Sequence, residues 1–336
     1  MTETGKLVVN EMPLPTIHDN EVLLRVKACG LCKTDVDMFR MKTGAGRVSL
    51  PIIPGHEFSG IVDRIGASVK GLRCGDRVSI DPLESCGECH FCLRGMKQFC
   101  KKRVVYGTNR NGGMAEFCTV NYKQVYSIRS DLSFENATLA EPLGCCLHAI
   151  AKVNMDISKV EQVLIIGGGT MGVLLLQVLK HKGVKKIIVV EPNEYKRNRA
   201  ISLGADASVF PNIDSIVNAL ECNNMNWVDV VFDCVSSTET IRLSCKFVRR
   251  CGEVILVGIP DAFQTNAIDL FNVFRKEVML TGSCLNSYWH STALAYLNSN
   301  IIKAEFVIEK TLPIQEIISV YNEFDLFHGK VIVTFN

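Results

Sequence analysis

Four cysteines, Cys86, Cys89, Cys92 and Cys100, stand at the spacing C-x2-C-x2-C-x7-C. Thiolates are soft ligands, and four of them close a tetrahedron around Zn2+ with no position left for a substrate. This loop therefore reads as a structural zinc site. Gly87, Gly95 and the charges between the cysteines make poor core material, which favours a metal over a chance cluster of reduced thiols. A second set is dispersed. Cys32, His56 and Glu57 fall on turns of the first lobe, and Glu141 stands in LAEPLG. A catalytic zinc needs about three protein ligands and one open position, and these side chains are of the right types. Their spacing alone leaves another account open, with His56 hydrogen-bonded at a turn and Glu141 capping a helix that begins near Pro142.

A third set suits a dinucleotide. Residues 163–172, VLIIGGGTMG, make a short apolar strand followed by Gly167, Gly169 and Gly172 at the spacing G-x-G-x-x-G. The first glycine permits a tight turn, the second lets the backbone approach a pyrophosphate, and the third lets a helix pack close on the strand. Thr170 and Met171 open that helix, whose N-terminus offers N–H groups and a positive dipole end to phosphates. A second apolar strand, 187–190, ends at Glu191, nineteen residues after Gly172. An acid there accepts both ribose hydroxyls and repels a 2′-phosphate, so NAD is expected, with NADP less favoured. Lys196 and Arg197 lie close by and read as solvated helix charges.

The elements that position these residues fall into two classes. Residues 7–9 and 21–28 alternate as strands do, with Val22, Leu24, Val26 and Ala28 on one face. Cys32 sits just before a short helical start, and strands follow over 58–65 and 77–80. From Ala151 onward the pattern changes to helix 171–182, strand 187–190, helix 194–203, strand 207–210, helix 213–220, strand 228–233, helix 238–247 and strand 253–257. Such alternation predicts a parallel sheet with crossovers, an α/β doubly wound dinucleotide fold. Its strand ends at Asp233-Cys234 and Val257-Gly258 line the crevice where a cofactor lies. Helices near 290–298 and 314–324 and a strand over 330–335 close the chain.

A chain of 336 residues has two domains as its natural division. A formal charge of +2 gives no electrostatic argument for nucleic acid or a membrane surface as partner. The uncharged stretch 163–179 is short for a membrane span, and the N-terminus shows no secretory pattern, so a cytoplasmic location is expected. Fifteen cysteines would suggest disulfides in a secreted chain, but the odd total and the missing signal favour metal binding. Cys29, Cys74, Cys118, Cys222, Cys234, Cys245, Cys251 and Cys284 sit within or beside apolar runs and read as small core hydrophobes.

Taken in order, CGLCKTD, GHEFSG, the four-cysteine loop, AEPL and the glycine fingerprint resemble the zinc-dependent medium-chain dehydrogenase/reductase family over nearly the full length. Glutamate in AEPL, where the liver-type alcohol dehydrogenases have cysteine, is similar to the polyol branch of sorbitol, galactitol-phosphate and threonine dehydrogenases. The resemblance implies a Rossmann domain over 149–282 and a β-rich GroES-like catalytic domain, discontinuous, over 1–148 and 283–336. It implies two zinc ions per chain. Cys32 and His56 become direct ligands of the catalytic one, with Glu57 and Glu141 ligating directly, through water, or in exchange. Thr34 matches the hydroxyl that takes the alcohol proton, and Val257, Gly258 and Ser283 fall at the nicotinamide. A homodimer or homotetramer is implied as well.

Three departures stand out. Asp37 replaces a histidine of the proton relay in the alcohol-dehydrogenase branch. SCLNSYW replaces an arginine-tyrosine pair of sorbitol dehydrogenases, which puts Asn286, Tyr288 and Trp289 forward as substrate contacts or as packing residues. The usual opening strand is short or missing. Arg40, Lys42 and Arg47 offer a phosphate site, with a solvated loop as the plainer account. The expectation is zinc- and NAD-dependent oxidation of a secondary alcohol of a polyol or sugar alcohol, phosphorylated or not. Its alternatives are amino-alcohol oxidation of the L-threonine 3-dehydrogenase kind and a non-catalytic zinc- or redox-sensing protein using Cys145-Cys146.

Overall fold

The computed structural model describes residues 1–2, 6–40, 50–260 and 268–336. Strands β1 (Glu21–Leu31), β2 (Glu57–Ile65), β3 (Arg77–Ile80), β4 (Leu83–Glu84), β5 (Val104–Val105), β6 (Phe117–Asn121) and β7 (Val125–Ser127) come first. Helix α1 (Lys33–Phe39) leaves the end of β1, and α2 (Phe134–Ala137) and α3 (Ala140–Ile150) close this stretch. Alternating elements follow: β8 (Gln162–Ile166), α4 (Thr170–His181), β9 (Lys186–Val190), α5 (Glu194–Ser202), β10 (Ala207–Val209) and α6 (Ile213–Cys222). The series continues with β11 (Val228–Asp233), α7 (Thr238–Phe247), β12 (Val248–Leu256), α8 (Leu270–Lys276) and β13 (Met279–Gly282). The tail carries α9 (His290–Asn298), β14 (Ile308–Pro313), α10 (Ile317–Glu323) and β15 (Lys330–Thr334). Two units result. Unit 1 comprises Met1–Gly144, Asn286–Asn300 and Ile308–Asn336; unit 2 comprises Cys145–Leu285 and Ile301–Val307.

Unit 1 is organised on β1. Its sheet runs β14-β15-β1-β2-β3-β7, with β6 also paired to β1. One side of β1 is covered by β2 from Val22 to Gly30, and the other is shared between β6 and β15. Val22, Leu24, Val26 and Ala28 are fully buried as the alternation predicts, but Leu23 is buried too. The strand expected over residues 7–9 does not form. Val8 and Val9 are exposed, since neither edge of β1 is free to receive them.

Unit 2 is a six-stranded parallel sheet of order β10-β9-β8-β11-β12-β13. The order reverses between β8 and β11, the switch point at which doubly wound sheets open a crevice beyond the carboxyl ends of their strands. Val163 to Ile166 are almost wholly buried, which explains their unbroken apolar run. Helix α8 and strand β13 extend the sheet beyond the sequence expectation. Leu270, Phe271 and Phe274 of α8 are exposed, so this helix carries no amphipathic signal. None of the fifteen cysteines is in a disulfide. Cys74, Cys222, Cys251 and Cys284 are exposed, against the expectation of core positions. They border apolar runs without belonging to them; Cys251, for instance, lies in β12 at φ +53°, where the pairing with β11 shifts register. Among the described residues no helix is long and apolar enough to cross a membrane.

Candidate active site and metal centres

Strand β1 ends at Leu31, and Cys32 caps α1 in an extended conformation. Asp35 ties this turn together. Its Oδ2 accepts the Cys32 N–H at 3.0 Å, and its Oδ1 accepts the Gly55 N–H at 3.3 Å. The same Oδ1 stands 3.3 Å from His56 Nδ1. One fully buried carboxylate thus fixes two ligand-bearing turns and orients the imidazole, as outer partners of metal-bound histidines do. Gly55 is at φ +93°, and a Cβ there would lie 2.6 Å from Cys29 Sγ. Glycine is what lets this turn press against β1 and Met114.

Glu57 opens β2 and pairs with Gly30 of β1. Its Oε1 accepts from Lys330 Nζ at 2.7 Å, at the first residue of β15. Its buried Oε2 has no hydrogen-bond partner among the described residues. One ligand atom each from Cys32, His56 and Glu57 lies within 4.8 Å of the others. Tetrahedral zinc, with bonds of about 2.3 Å to sulfur and 2.0 Å to nitrogen, spaces its ligands by roughly 3.5 Å. The donor set fits such an ion, and an acceptor left over inside the protein is what a cation would satisfy. Burial alone would lower the His56 pKa, but Asp35 and then Cys32 hold it well above the ordinary value. Burial likewise opposes the Lys330 charge, which Glu57, Cys32 and Glu141 raise above its usual range.

Glu141 lies in the first turn of α3, which starts at Ala140 rather than near Pro142, so the glutamate does not precede the helix. It is buried and within electrostatic reach of Lys330, while the three-ligand cluster forms without it. Thr34 is the second residue of α1 and half-buried. Asp37 Oδ2 pairs with Lys33 Nζ at 2.6 Å, and Arg40 Nη1 pairs with Asp325 Oδ2 at 2.8 Å. Lys42 and Arg47 lie outside the described residues. Asp35 and Lys330 were not singled out from the sequence. Asp35 is readable as the third residue after a capping Cys32; Lys330 has no local signal at all.

The four cysteines meet in a loop of two 3-10 turns, 92–94 and 97–99. Their sulfurs are separated by 3.8 Å (Cys86–Cys92), 3.5 Å (Cys89–Cys92) and 3.5 Å (Cys86–Cys100). A tetrahedron with Zn–S bonds of about 2.3 Å has edges of roughly 3.8 Å, so this site fits too. The Ser85 hydroxyl, helped by Cys89 and working against burial, draws the Cys92 thiol down to about 6, while burial pushes Cys100 up to about 11. The loop is anchored beneath by buried Lys97, paired with Asp81 and donating to the Leu83 carbonyl at 3.2 Å. Asn286 Nδ2 donates to the same Asp81 at 3.3 Å, and Lys97 Nζ sits 4.8 Å from the Tyr288 ring centroid. Asn286 and Tyr288 thus pack on the Asp81–Lys97 pair that anchors the four-cysteine loop.

In unit 2, Gly167 is at φ +99°, and a Cβ on Gly172 would come within 1.9 Å of the Gly167 carbonyl oxygen. A Cβ on Gly169, the residue that caps α4, would meet nothing within 4 Å. Turn, open space and close packing occur in that order along the chain, which suits a pyrophosphate held on the N–H groups at Thr170 and Met171. Glu191 Oε2 accepts the Gly168 N–H at 2.7 Å and Oε1 the Asn193 N–H at 2.9 Å. Arg197 is not simply solvated, because its Nη1 donates to the Glu191 and Pro192 carbonyls at 3.0 and 2.6 Å. Val257 and Gly258 donate their N–H groups to the Asp233 carbonyl at 2.8 and 3.0 Å, and Ser283 donates to Leu256 at 2.8 Å. All three stand at the carboxyl ends of β12 and β13.

Residues 18–130 match the family model of the alcohol dehydrogenase GroES-like domain, and residues 170–299 match that of the zinc-binding dehydrogenase. The chain is 31% identical to D-altritol 5-dehydrogenase of Agrobacterium fabrum strain C58, over 96% of this chain and 94% of that protein. It is 30% identical to D-arabinitol dehydrogenase 1 of Uromyces fabae, over 90% and 86%. Among solved structures, one from Sinorhizobium meliloti 1021, described as a zinc-binding dehydrogenase bound to NADP, superposes with a TM-score of 0.91 at 29% identity, covering 98% of this chain and 96% of that one.

Proposed function

The chain belongs to the zinc-dependent medium-chain dehydrogenase/reductase family, and on that premise we propose that it oxidises a secondary alcohol of a polyol or sugar alcohol to the ketone, using zinc and NAD. The observation that carries this reading is the convergence of Cys32, His56 and Glu57 in one buried cluster with an unsatisfied carboxylate oxygen. These residues, with Glu141 beside them, would hold a zinc ion, which would supply Lewis-acid chemistry at the substrate oxygen. Around it, Asp35 holds His56 and the Cys32 turn in place, and Lys330 compensates the charge of Glu57. Thr34 takes the alcohol proton. The glycine turn and Glu191 would hold a nicotinamide dinucleotide, which would supply the hydride acceptor.

NAD is favoured over NADP by Glu191, whose carboxylate closes on the glycine loop and would repel a 2′-phosphate. The names of the altritol and arabinitol relatives support a polyol as substrate. Metal content of the protein purified without chelator, in wild type and Cys32→Ala, tests the centre. Two zinc ions per chain falling to one are expected. A screen of polyols and polyol phosphates with both NAD and NADP then tests the activity. One zinc in both proteins and no cofactor reduction would overturn the reading.

A further inference from the structure

Asp35 is not the only support of the His56 turn. A strap, residues 103–114, leaves the four-cysteine loop just after Cys100 and bonds to residues 53–55. The Gly112, Gly113 and Met114 N–H groups donate to the carbonyls of Ile53, Gly55 and Pro54 at 2.8, 2.9 and 3.0 Å. Asn111 Oδ1 accepts the Ile53 N–H at 3.0 Å. A Cβ on Gly112 would lie 2.0 Å from the Gly55 carbonyl oxygen, so the strap sits directly on the peptide unit that carries His56. Its other end is tied to the cysteines. The Arg103 N–H donates to the Cys100 carbonyl at 3.2 Å, β5 pairs with β4, and the Tyr106 N–H donates to the Pro82 carbonyl at 3.0 Å. Tyr106 is fully buried; its hydroxyl donates to Glu84 Oε2 at 3.0 Å and accepts the Asn121 N–H at 2.9 Å. The Gly107 N–H closes the turn that follows onto the Arg110 carbonyl at 2.7 Å. Lys97, inside the cysteine loop, binds the same 81–84 stretch through Asp81 and the Leu83 carbonyl. A series of hydrogen bonds thus runs from the cysteines to the His56 turn, all of it within unit 1.

We propose that this strap is a positioning segment for His56, and that through it the four-cysteine loop and the Cys32–His56–Glu57 centre bind metal cooperatively. Coupling between sites needs an element with two arrangements that both sites bias. Here that element is the cysteine loop, whose thiols share one geometry when an ion joins them and are free to part when none does. A parted loop releases Cys100 and Lys97, the near supports of the strap, and the Gly55–His56 peptide loses its backing. The His56 ring is then held by Asp35 alone. The inference rests on reading the Cys32 cluster as a zinc site.

The test measures zinc affinity in the full chain by competition with a chromophoric chelator, and uses the visible spectra of Co2+ to tell a four-thiolate site from a one-thiolate site. Cys89→Ser/Cys92→Ser empties the loop. The Cys32 centre should then hold its ion about ten-fold more weakly, within the usual range of coupling between sites, and its cobalt spectrum should shift. Linkage demands the converse: Cys32→Ala should weaken the loop by the same factor. A centre unchanged in affinity and spectrum when the loop is emptied overturns the proposal. So does a one-way effect, in which Cys32→Ala leaves the loop at wild-type affinity, because that is local damage and not linkage. Gly112→Ala should weaken the centre by itself and cut the added effect of emptying the loop below about two-fold, since the two changes then act on one path. An undiminished ten-fold effect in that background takes the strap out of the coupling and refutes the inference. The first two variants leave the strap intact, so they decide the matter even if Gly112→Ala fails to fold. Wild type that fills the loop but takes no ion at Cys32 overturns the zinc reading of that centre together with the inference.

Discussion

Replacing Lys330 by methionine should destabilise the zinc-free protein more than any ordinary surface charge change. Lys330 and Glu57 form an ion pair at 2.7 Å whose side chains are only 5% and 1% exposed. Methionine keeps most of the lysine stem volume, so packing changes little, but Glu57 is left as a buried charge without its partner. Breaking a pair of this kind from one side costs about 3–5 kcal/mol. In a domain of this size each kilocalorie moves the midpoint by about 2–4 °C, which places the fall in Tm at roughly 6–20 °C. Zinc should recover part of the loss, since an ion at the cluster gives Glu57 a new counter-charge. The double variant Lys330→Met/Glu57→Gln should recover most of it without metal, because no charge is then stranded. The assay is thermal and urea unfolding of chelator-treated and zinc-loaded protein for the wild type, both single variants and the double. A loss below about 1 kcal/mol, the range of exposed pairs, would refute the argument. So would a double variant that loses as much as the two single ones summed.

Two further outcomes follow from the same geometry. His56 is held above its ordinary pKa in the metal-free protein, so its pairing with Asp35 contributes fully below about pH 6.5 and is lost as pH rises through the raised value. Zinc competes with that proton, and affinity at this site should drop at least ten-fold per pH unit below the raised pKa. Chelator competition from pH 6 to 9 reads the slope, and a profile flat across that whole range would contradict the assignment. Gly172→Ala places a Cβ where only 1.9 Å separates it from the Gly167 carbonyl, so α4 or the turn must shift by more than an ångström. NAD(H) affinity, followed by nicotinamide fluorescence, should weaken at least ten-fold with metal content unchanged; wild-type affinity would show that the turn does not hold the pyrophosphate.

How far each part was legible depended on how many residues separate the interacting groups. Strands β3 and β11 and helices α7 and α9 occupy the residues that their own periodicity predicts, because each is decided by its own side chains. The glycine turn and the four-cysteine loop are equally local: ten and fifteen residues carry all the groups that must meet. Residues 7–9 misled because alternation indicates only that a segment could join a sheet, and both sides of β1 were taken by strands distant in sequence. The exposed cysteines misled for the opposite reason, since an apolar neighbour in the chain is not a neighbour in the core.

The cluster of Cys32, His56 and Glu57 lies between these cases, and its construction shows what the returning tail supplies. Cys32 is placed by the end of β1, and Glu57 by its pairing with Gly30 on one side of that strand. The other side at the same level belongs to β15, where Leu31 faces Val331. That register delivers Lys330 to the Leu31 carbonyl at 3.4 Å and to Glu57 at 2.7 Å. A carboxylate among metal ligands is tolerable in the interior only if a cation answers it when the metal is absent. Here the answering cation comes from 273 residues away in sequence, one strand position from the ligand turn. No local motif marks it, because its identity matters only once β15 has docked. The discontinuity of unit 1 thus serves the Cys32–His56–Glu57 cluster: the last strand joins the sheet and supplies the charge that lets Glu57 stay buried.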